Sequence, residues 1–372
     1  MCGRYLGFIS VVLVLVAGCG GGSGETPGIP PGNTTSIVSV GRALFFDENL
    51  SSSSNQSCAS CHDSAAGFAD PDVSIIAPVS EGSVGGQFGN RNAPTAAYAS
   101  FSPDFRLTST AQTSEDGSIY EGGQFLDGRR SNLIAQAKDP FLNPVEMNNV
   151  DESDVVNKVR NASYASDFLS VFGANALDDV ATAYNLIATA IAAFETSSEV
   201  NKFSSKFDAV LRGLATFTTE EERGFNLFKD PNGAKCANCH VVDNPTGGPA
   251  LFTDFKYFNV GTPSNPNNPS SVQDLGLGAI TAETLEDGKF KVPTLRNIAL
   301  TAPYMHNGVH ETLNEVIQHY DIDVANEFIT PEVDRNIASE LEAGSFVGLG
   351  LSPQDYLDLV TFMETLTDGY IP

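Results

Sequence analysis

Two five-residue runs limit what this chain can become: Cys58-Ala59-Ser60-Cys61-His62 and Cys236-Ala237-Asn238-Cys239-His240. Both read Cys-x-x-Cys-His. The i, i+3 spacing sets two thiols on one face of a helical turn, and the histidine beside them can present a ring nitrogen to a metal. Covalent haem c attachment uses all three groups together, with two thioether bonds to the vinyl groups and the histidine as proximal iron ligand. Three other uses of paired cysteines compete. A four-cysteine zinc module keeps its pairs ~15 to 20 residues apart, whereas Cys61 and Cys236 are 175 positions apart. Redox-active pairs and structural disulfides do not require a histidine after each pair, and here both pairs have one.

The other two of the six cysteines, Cys2 and Cys19, belong to the front end. Arg4, an apolar run from Phe8 to Val16, and then Val16-Ala17-Gly18-Cys19 read as a lipoprotein signal, with residues 1–18 removed and Cys19 carrying the lipid. A secretory signal cut nearby is the other reading. The apolar run is shorter than the ~20 residues of a spanning helix. Either way the chain is expected on the periplasmic side, touching a membrane only through its anchor. Residues 19–36, rich in Gly and Pro, read as a flexible tether.

A length of 372 residues suggests two to three domains at ~150 residues each. Gly41-x-x-Leu44-Phe45-x-Asp47 stands before the first motif and Gly224-x-x-Leu227-Phe228-x-Asp230 before the second, the mark of a duplication. Two tandem cytochrome c-like haem domains are therefore expected over 37–214 and 215–372. Val180, Ala183, Ile187, Ala190, Ile191 and Phe194 recur at helical spacing, and Ser352-Pro353 open a helix carrying Leu357, Val360 and Leu366. Thr219 with Glu222 forms a capping-box pattern ahead of the second copy. Residues 240–289 are rich in Asn, Pro and Gly and read as long irregular loops. Strand alternation is scarce, so the expected class is all-α. Lys plus Arg number 20 against 46 Asp plus Glu, a net charge of −26, which excludes a nucleic-acid partner because that requires a basic footprint.

Further motifs narrow the reading: Gly41-Arg-Ala-Leu-Phe-Phe-Asp47, Arg91-Asn-Ala-Pro-Thr95, Phe125-Leu-Asp-Gly-Arg129, Pro144-Val-Glu-Met147, Phe290-Lys-Val-Pro-Thr-Leu-Arg-Asn297 and Thr301-Ala-Pro-Tyr-Met-His306. From about Val40 to Leu366 the chain resembles bacterial di-haem cytochrome c peroxidases and their MauG-like relatives. The resemblance implies that an N-terminal haem, with His62 as proximal ligand, meets hydrogen peroxide, and that a C-terminal haem, with His240, passes electrons to it. The donor would be a small cytochrome c or cupredoxin, for which the acidity of the chain suggests a basic docking face. Glu146 is then the candidate acid and base for peroxide cleavage and Gln136 its orienting partner. A calcium ion is implied at Asn92, Thr301 and Pro303, a haem propionate contact at His306, and a homodimer is allowed. His310 has no assigned role.

Three departures from the classical peroxidase stand out. No histidine lies between His62 and His240, so a distal histidine cannot close the first haem, and Glu81 and Gln87 are not preferred ligands. An open or water-occupied haem that meets peroxide without prior reduction is expected. The sixth ligand of the second haem falls at Tyr320, as in MauG-like members, with Met305, Met363 and His319 as rivals. Leu313, Val316, Ile317 and Tyr320 share a helical face, so a core tyrosine is the competing reading. Finally, the tryptophan between the haems falls at Leu126, and the chain has no Trp. Peroxide reduction is the leading function. Peroxide-dependent oxidation of a partner protein is the alternative, and a non-enzymatic electron carrier the third.

Overall fold

The computed structural model describes residues 34–109, 118–243, 248–270, 272–324, 330–338 and 348–372. Cys19, the signal and most of the tether lie outside the described residues. The helices of the first half are α1 (Thr34–Phe45), α2 (Cys58–Cys61), α3 (Leu133–Gln136), α4 (Asp139–Leu142), α5 (Glu152–Asn161), α6 (Ala165–Phe172) and α7 (Val180–Glu195). There follow α8 (Lys206–Leu211), α9 (Thr219–Lys229), α10 (Leu277–Thr281), α11 (Leu313–Gln318) and α12 (Pro353–Glu364). Four short strands correct the expectation of helices alone: β1 (Arg106–Ser109) pairs antiparallel with β2 (Ile119–Glu121), and β3 (Tyr257–Phe258) with β4 (Phe290–Lys291).

Side-chain caps fix where the helices begin. Asp179 accepts from the Thr182 amide at the start of α7, and Ser352 with Asp355 makes a capping box at α12. Thr218-Thr219-Glu220-Glu221-Glu222 carries the box in two registers, and the structure uses Thr218 with Glu221, one residue ahead of the expected Thr219 and Glu222. Glu221 is also bound by the Lys206 ammonium at 2.7 Å, a partner that favours this register. On α12 the buried face is Leu359, Phe362 and Met363, while Leu357 is exposed.

Apolar residues gather in two main clusters. The first holds Leu44, Phe45, Phe168, Ile187, Ile191 and Phe194, and runs in sequence from Ile37 to Val200 with Leu251 added. The second begins at Phe207 and contains Phe228, Phe252, Leu359, Phe362 and Leu366. The repeated glycine explains the likeness between them. A Cβ on Gly41 would run into the Ala190 carbonyl oxygen and stand 3.0 Å from the Phe194 Cβ, and one on Gly224 would meet the Asp358 carbonyl and stand 2.9 Å from the Phe362 Cβ. In each half a glycine thus lets the helix that precedes the Cys-x-x-Cys-His motif cross the last long helix of that half backbone to backbone.

The halves are tied together by polar contacts. Arg91 binds Asp127 and Asp274, both at 2.6 Å, and the Tyr98 hydroxyl donates to Asp368 at 2.6 Å. Arg296 and Asp208 form a buried pair at 2.9 Å beneath Tyr98 and Phe203. The Lys291 amide donates to the Leu126 carbonyl at 2.8 Å, so Leu126, where the family tryptophan is expected to fall, is bonded by its backbone to β4.

Candidate active site

Each Cys-x-x-Cys-His run folds into a single helical turn. The first is α2, and the second is a tighter turn over Cys236–Asn238. In both, the histidine amide donates to the carbonyl of the first cysteine at 2.9 Å. His62 Nδ1 lies 3.0 Å from the Phe68 carbonyl and His240 Nδ1 2.8 Å from the Phe252 carbonyl. Burial holds both rings below the usual histidine range, so they are neutral, with Nδ1–H donating to the carbonyl. That tautomer leaves the Nε2 lone pair for a metal, the second-sphere arrangement of a metal-bound imidazole.

None of Cys58, Cys61, Cys236 and Cys239 is paired in a disulfide. Burial pushes Cys61 and Cys236 up to about 12 and raises Cys58 as well. The charged neighbours of the first pair are Glu195, Glu146 and Asp70, which oppose a thiolate still further. Neutral thiols fit thioether formation and argue against a nucleophilic cysteine. Two such turns, each with its imidazole held as one tautomer, define the class of c-type cytochromes with more than one haem.

Comparison with known proteins narrows that class. Residues 35–216 match the family model described as di-haem cytochrome c peroxidase. The chain is 37% identical over 359 residues to the methylamine utilization protein MauG of Paracoccus denitrificans, covering 89% of this chain and 88% of that protein. It is 32% identical over 305 residues to the cytochrome c551 peroxidase of Nitrosomonas europaea, covering 81% and 78%. Among solved structures, the diheme peroxidase BthA of Burkholderia thailandensis superposes with a TM-score of 0.80 at 28% identity, covering 91% of this chain and 87% of the other. The chain belongs to the di-haem cytochrome c peroxidase and MauG family of oxidoreductases.

Around the first motif, Glu146 is partly buried in the segment that follows α4. Burial raises its carboxyl above the ordinary range, opposed by the charge of Arg129 and by the Asn143 amide, which donates to Oε1 at 2.8 Å. Its charge acts on both Cys58 and Cys61, so it lies near the first motif. Gln136, the last residue of α3, is half-buried. The loop over 80–89 packs on this segment through the Ser83 amide, which donates to the Glu146 carbonyl at 2.7 Å. Glu81 and Gln87 are exposed, and Glu81 Oε1 accepts from the Gly86 amide at 2.6 Å, so this glutamate closes its own loop.

Around the second motif, Tyr320 is raised by burial and then by the nearby Cys239 and Cys236. Leu313 and Ile317 enter the second apolar cluster with Val316 beside them, while Tyr320 lies near the cysteines. Among its rivals, His319 Nε2 lies 2.8 Å from the Val260 carbonyl and Met363 is packed in the core. Met305 is partly buried, in the left-handed backbone region. His306 stacks on Phe290 at 3.9 Å, and its Nε2 lies 3.1 Å from the Glu332 carboxylate. The Asn92 amide nitrogen meets the Pro303 carbonyl oxygen. Amide oxygen and nitrogen are assigned by partner, so a turned Asn92 offers its Oδ1 beside that carbonyl, an oxygen pair suited to calcium.

Sequence reasoning missed Glu195, the last residue of α7 and 6% exposed, whose Oε2 finds no hydrogen-bond partner among the described residues. A signal existed: it falls four positions after Ile191, on the core face. Burial pushes its carboxyl up to about 8 from an ordinary 4.5. The folded state therefore binds the proton more tightly than the unfolded chain does. The contribution of this one group is fully present below pH 4.5 and is lost as pH rises toward about 8, on the order of 5 kcal/mol at ~1.4 kcal/mol per pKa unit. In the haem-loaded Glu195→Gln protein, denaturant midpoints should lose this fall between those pH values, and a fall equal to that of the parent would show that Glu195 is not its source.

Proposed function

We propose that the protein reduces hydrogen peroxide at a haem held by Cys58, Cys61 and His62, with electrons received from a small redox protein through a haem held by Cys236, Cys239 and His240. The domains proposed for these roles are 37–214 and 215–372, and the apolar core changes over between Val200 and Phe207, shortly before that boundary. The chain is proposed to be periplasmic, anchored through Cys19, with calcium at Asn92, Thr301 and Pro303.

One observation carries the reading: a partly buried carboxyl, Glu146, lies near the first attachment turn, beside a loop that offers no imidazole. The haem, when bound, supplies the iron that takes up the peroxide and the electrons that reduce it. Glu146 moves the proton. Because Oε1 accepts from Asn143, Oε2 is the oxygen that takes the proton from the near peroxide oxygen and returns it to the departing one. Gln136 is proposed to orient the peroxide by hydrogen bonding. The balance is one peroxide, two electrons and two protons to two waters.

With neither Glu81 nor Gln87 turned inward, the oxidised, haem-loaded protein should react with stoichiometric peroxide in stopped-flow absorption before any reduction. A reaction that waits for reduction of one haem would reveal a closing ligand and a redox-gated peroxidase. Tyr320 favours a second reading, peroxide-dependent oxidation of a partner protein. A phenolate at the second haem lowers its reduction potential relative to methionine and suits a site that shares oxidising equivalents. Continuous consumption of a renewable donor supports the first reading, and a stable modification left on a partner protein supports the second.

A further inference from the structure

Tyr320 sits in a turn wound wider than the helix it continues. His319–Asp323 form a π-helical turn after α11, and the Val324 amide reaches back to the His319 carbonyl at 3.2 Å. Such a turn accommodates an extra residue and persists where its surroundings hold it. The residues on both sides of Tyr320 are tied down. His319, fully buried, is bonded to Val260. Asp321, 4% exposed, accepts from the Gly350 amide at 2.8 Å through Oδ1 and from the Tyr356 hydroxyl at 2.9 Å through Oδ2. Tyr356 stands on α12, the helix whose Asp358 and Phe362 cross α9 at Gly224. One helix therefore packs on the element leading into the second motif and also holds the π turn that carries Tyr320.

We propose that Tyr356 and Asp321 are positioning residues for Tyr320, holding the π turn in the register that directs the phenol at the second haem-attachment motif. The proposal rests on the reading of Tyr320 as iron ligand. The influences on the Tyr320 phenol are burial and the two cysteines, and both Asp321 oxygens are committed to Gly350 and Tyr356. Asp321 therefore acts by placement rather than by charge.

The test uses the full haem-loaded chain and reads the tyrosinate signature of the oxidised second haem by electron paramagnetic resonance and visible absorption, together with its reduction potential. Tyr356→Phe removes one hydroxyl and should lower the tyrosinate-ligated fraction at least twofold and raise the potential, with the first haem's spectrum unchanged as a control for folding. Asp321→Asn can keep both contacts, its Oδ1 accepting from Gly350 and its Nδ2 donating to Tyr356, and should retain the parent signature. If Tyr320→Phe abolishes the signature while Tyr356→Phe leaves it intact, the clamp is wrong and the ligand reading stands. If Tyr320→Phe changes nothing, both are wrong. Loss of the signature in Asp321→Asn equal to that in Tyr356→Phe would assign the effect to charge and overturn placement.

Discussion

Glu146→Gln should slow the reaction of the oxidised protein with hydrogen peroxide by about 100- to 10,000-fold, the usual contribution of a positioned acid–base group. Both haems should remain attached, because the substitution touches neither a cysteine nor a proximal histidine. The amide keeps the size of the side chain and can keep an acceptor for Asn143, which bonds Oε1 at 2.8 Å, but it has no oxygen that can carry the proton. The pH profile provides the sharper check. Burial raises the Glu146 carboxyl while Arg129 and Asn143 pull it back, so the basic form is lost as pH falls through a value above the ordinary carboxylate range. The parent rate should decline toward acid through that value, and Glu146→Gln should lack this limb. A variant as fast as the parent in stopped flow, or one with the same acid limb, would remove Glu146 from the proton path.

What could be read from the residues follows how local each feature is. The haem-attachment turns depend on five consecutive residues, and a periodic run such as Val180 to Phe194 declares its helix through side chains that neighbour one another. The repeated glycine was visible, but its cause was not: Gly41 and Ala190 meet only once the chain has folded over most of the first half. Glu146 lies in a segment with no periodicity, and only the resemblance singled it out. Its nearness to Cys58 and Cys61 comes from the fold, in which the Ser83 amide of a distant loop bonds its backbone carbonyl. The strands β3 and β4 escaped notice because they are two residues each and pair across more than thirty positions, which include α10. Tyr320 matched a helical face by spacing, yet the π turn changes the direction of the side chain, and a 3.6-residue period cannot anticipate that turn.

Gly224→Ala should cost at least the ~1 to 3 kcal/mol of an overpacked core, because its clash is with backbone rather than with the end of a flexible side chain. The new methyl would overlap the Asp358 carbonyl and press the Phe362 Cβ, so α9 and α12 must separate. Separation would open the contacts of Phe362 with Phe225, Phe228 and Phe252, whose rings lie 5.0 to 6.3 Å from it. It would also displace Tyr356, so the second haem should lose its parent spectrum before the first does on heating. Gly41→Ala should reverse that order, since its methyl strikes Ala190 and Phe194 beneath the first motif. The two apolar clusters divide at Val200 and Phe207, but Arg91 and Tyr98 join the halves through ion pairs and a hydrogen bond, and Arg296 joins them by lying over the Tyr98 ring. Thermal scans that follow each haem separately decide which effect prevails. Two transitions that exchange order between the variants would mean that each cluster melts as its own unit, whereas simultaneous loss of both haems in both variants would mean that these ties make the halves one cooperative structure.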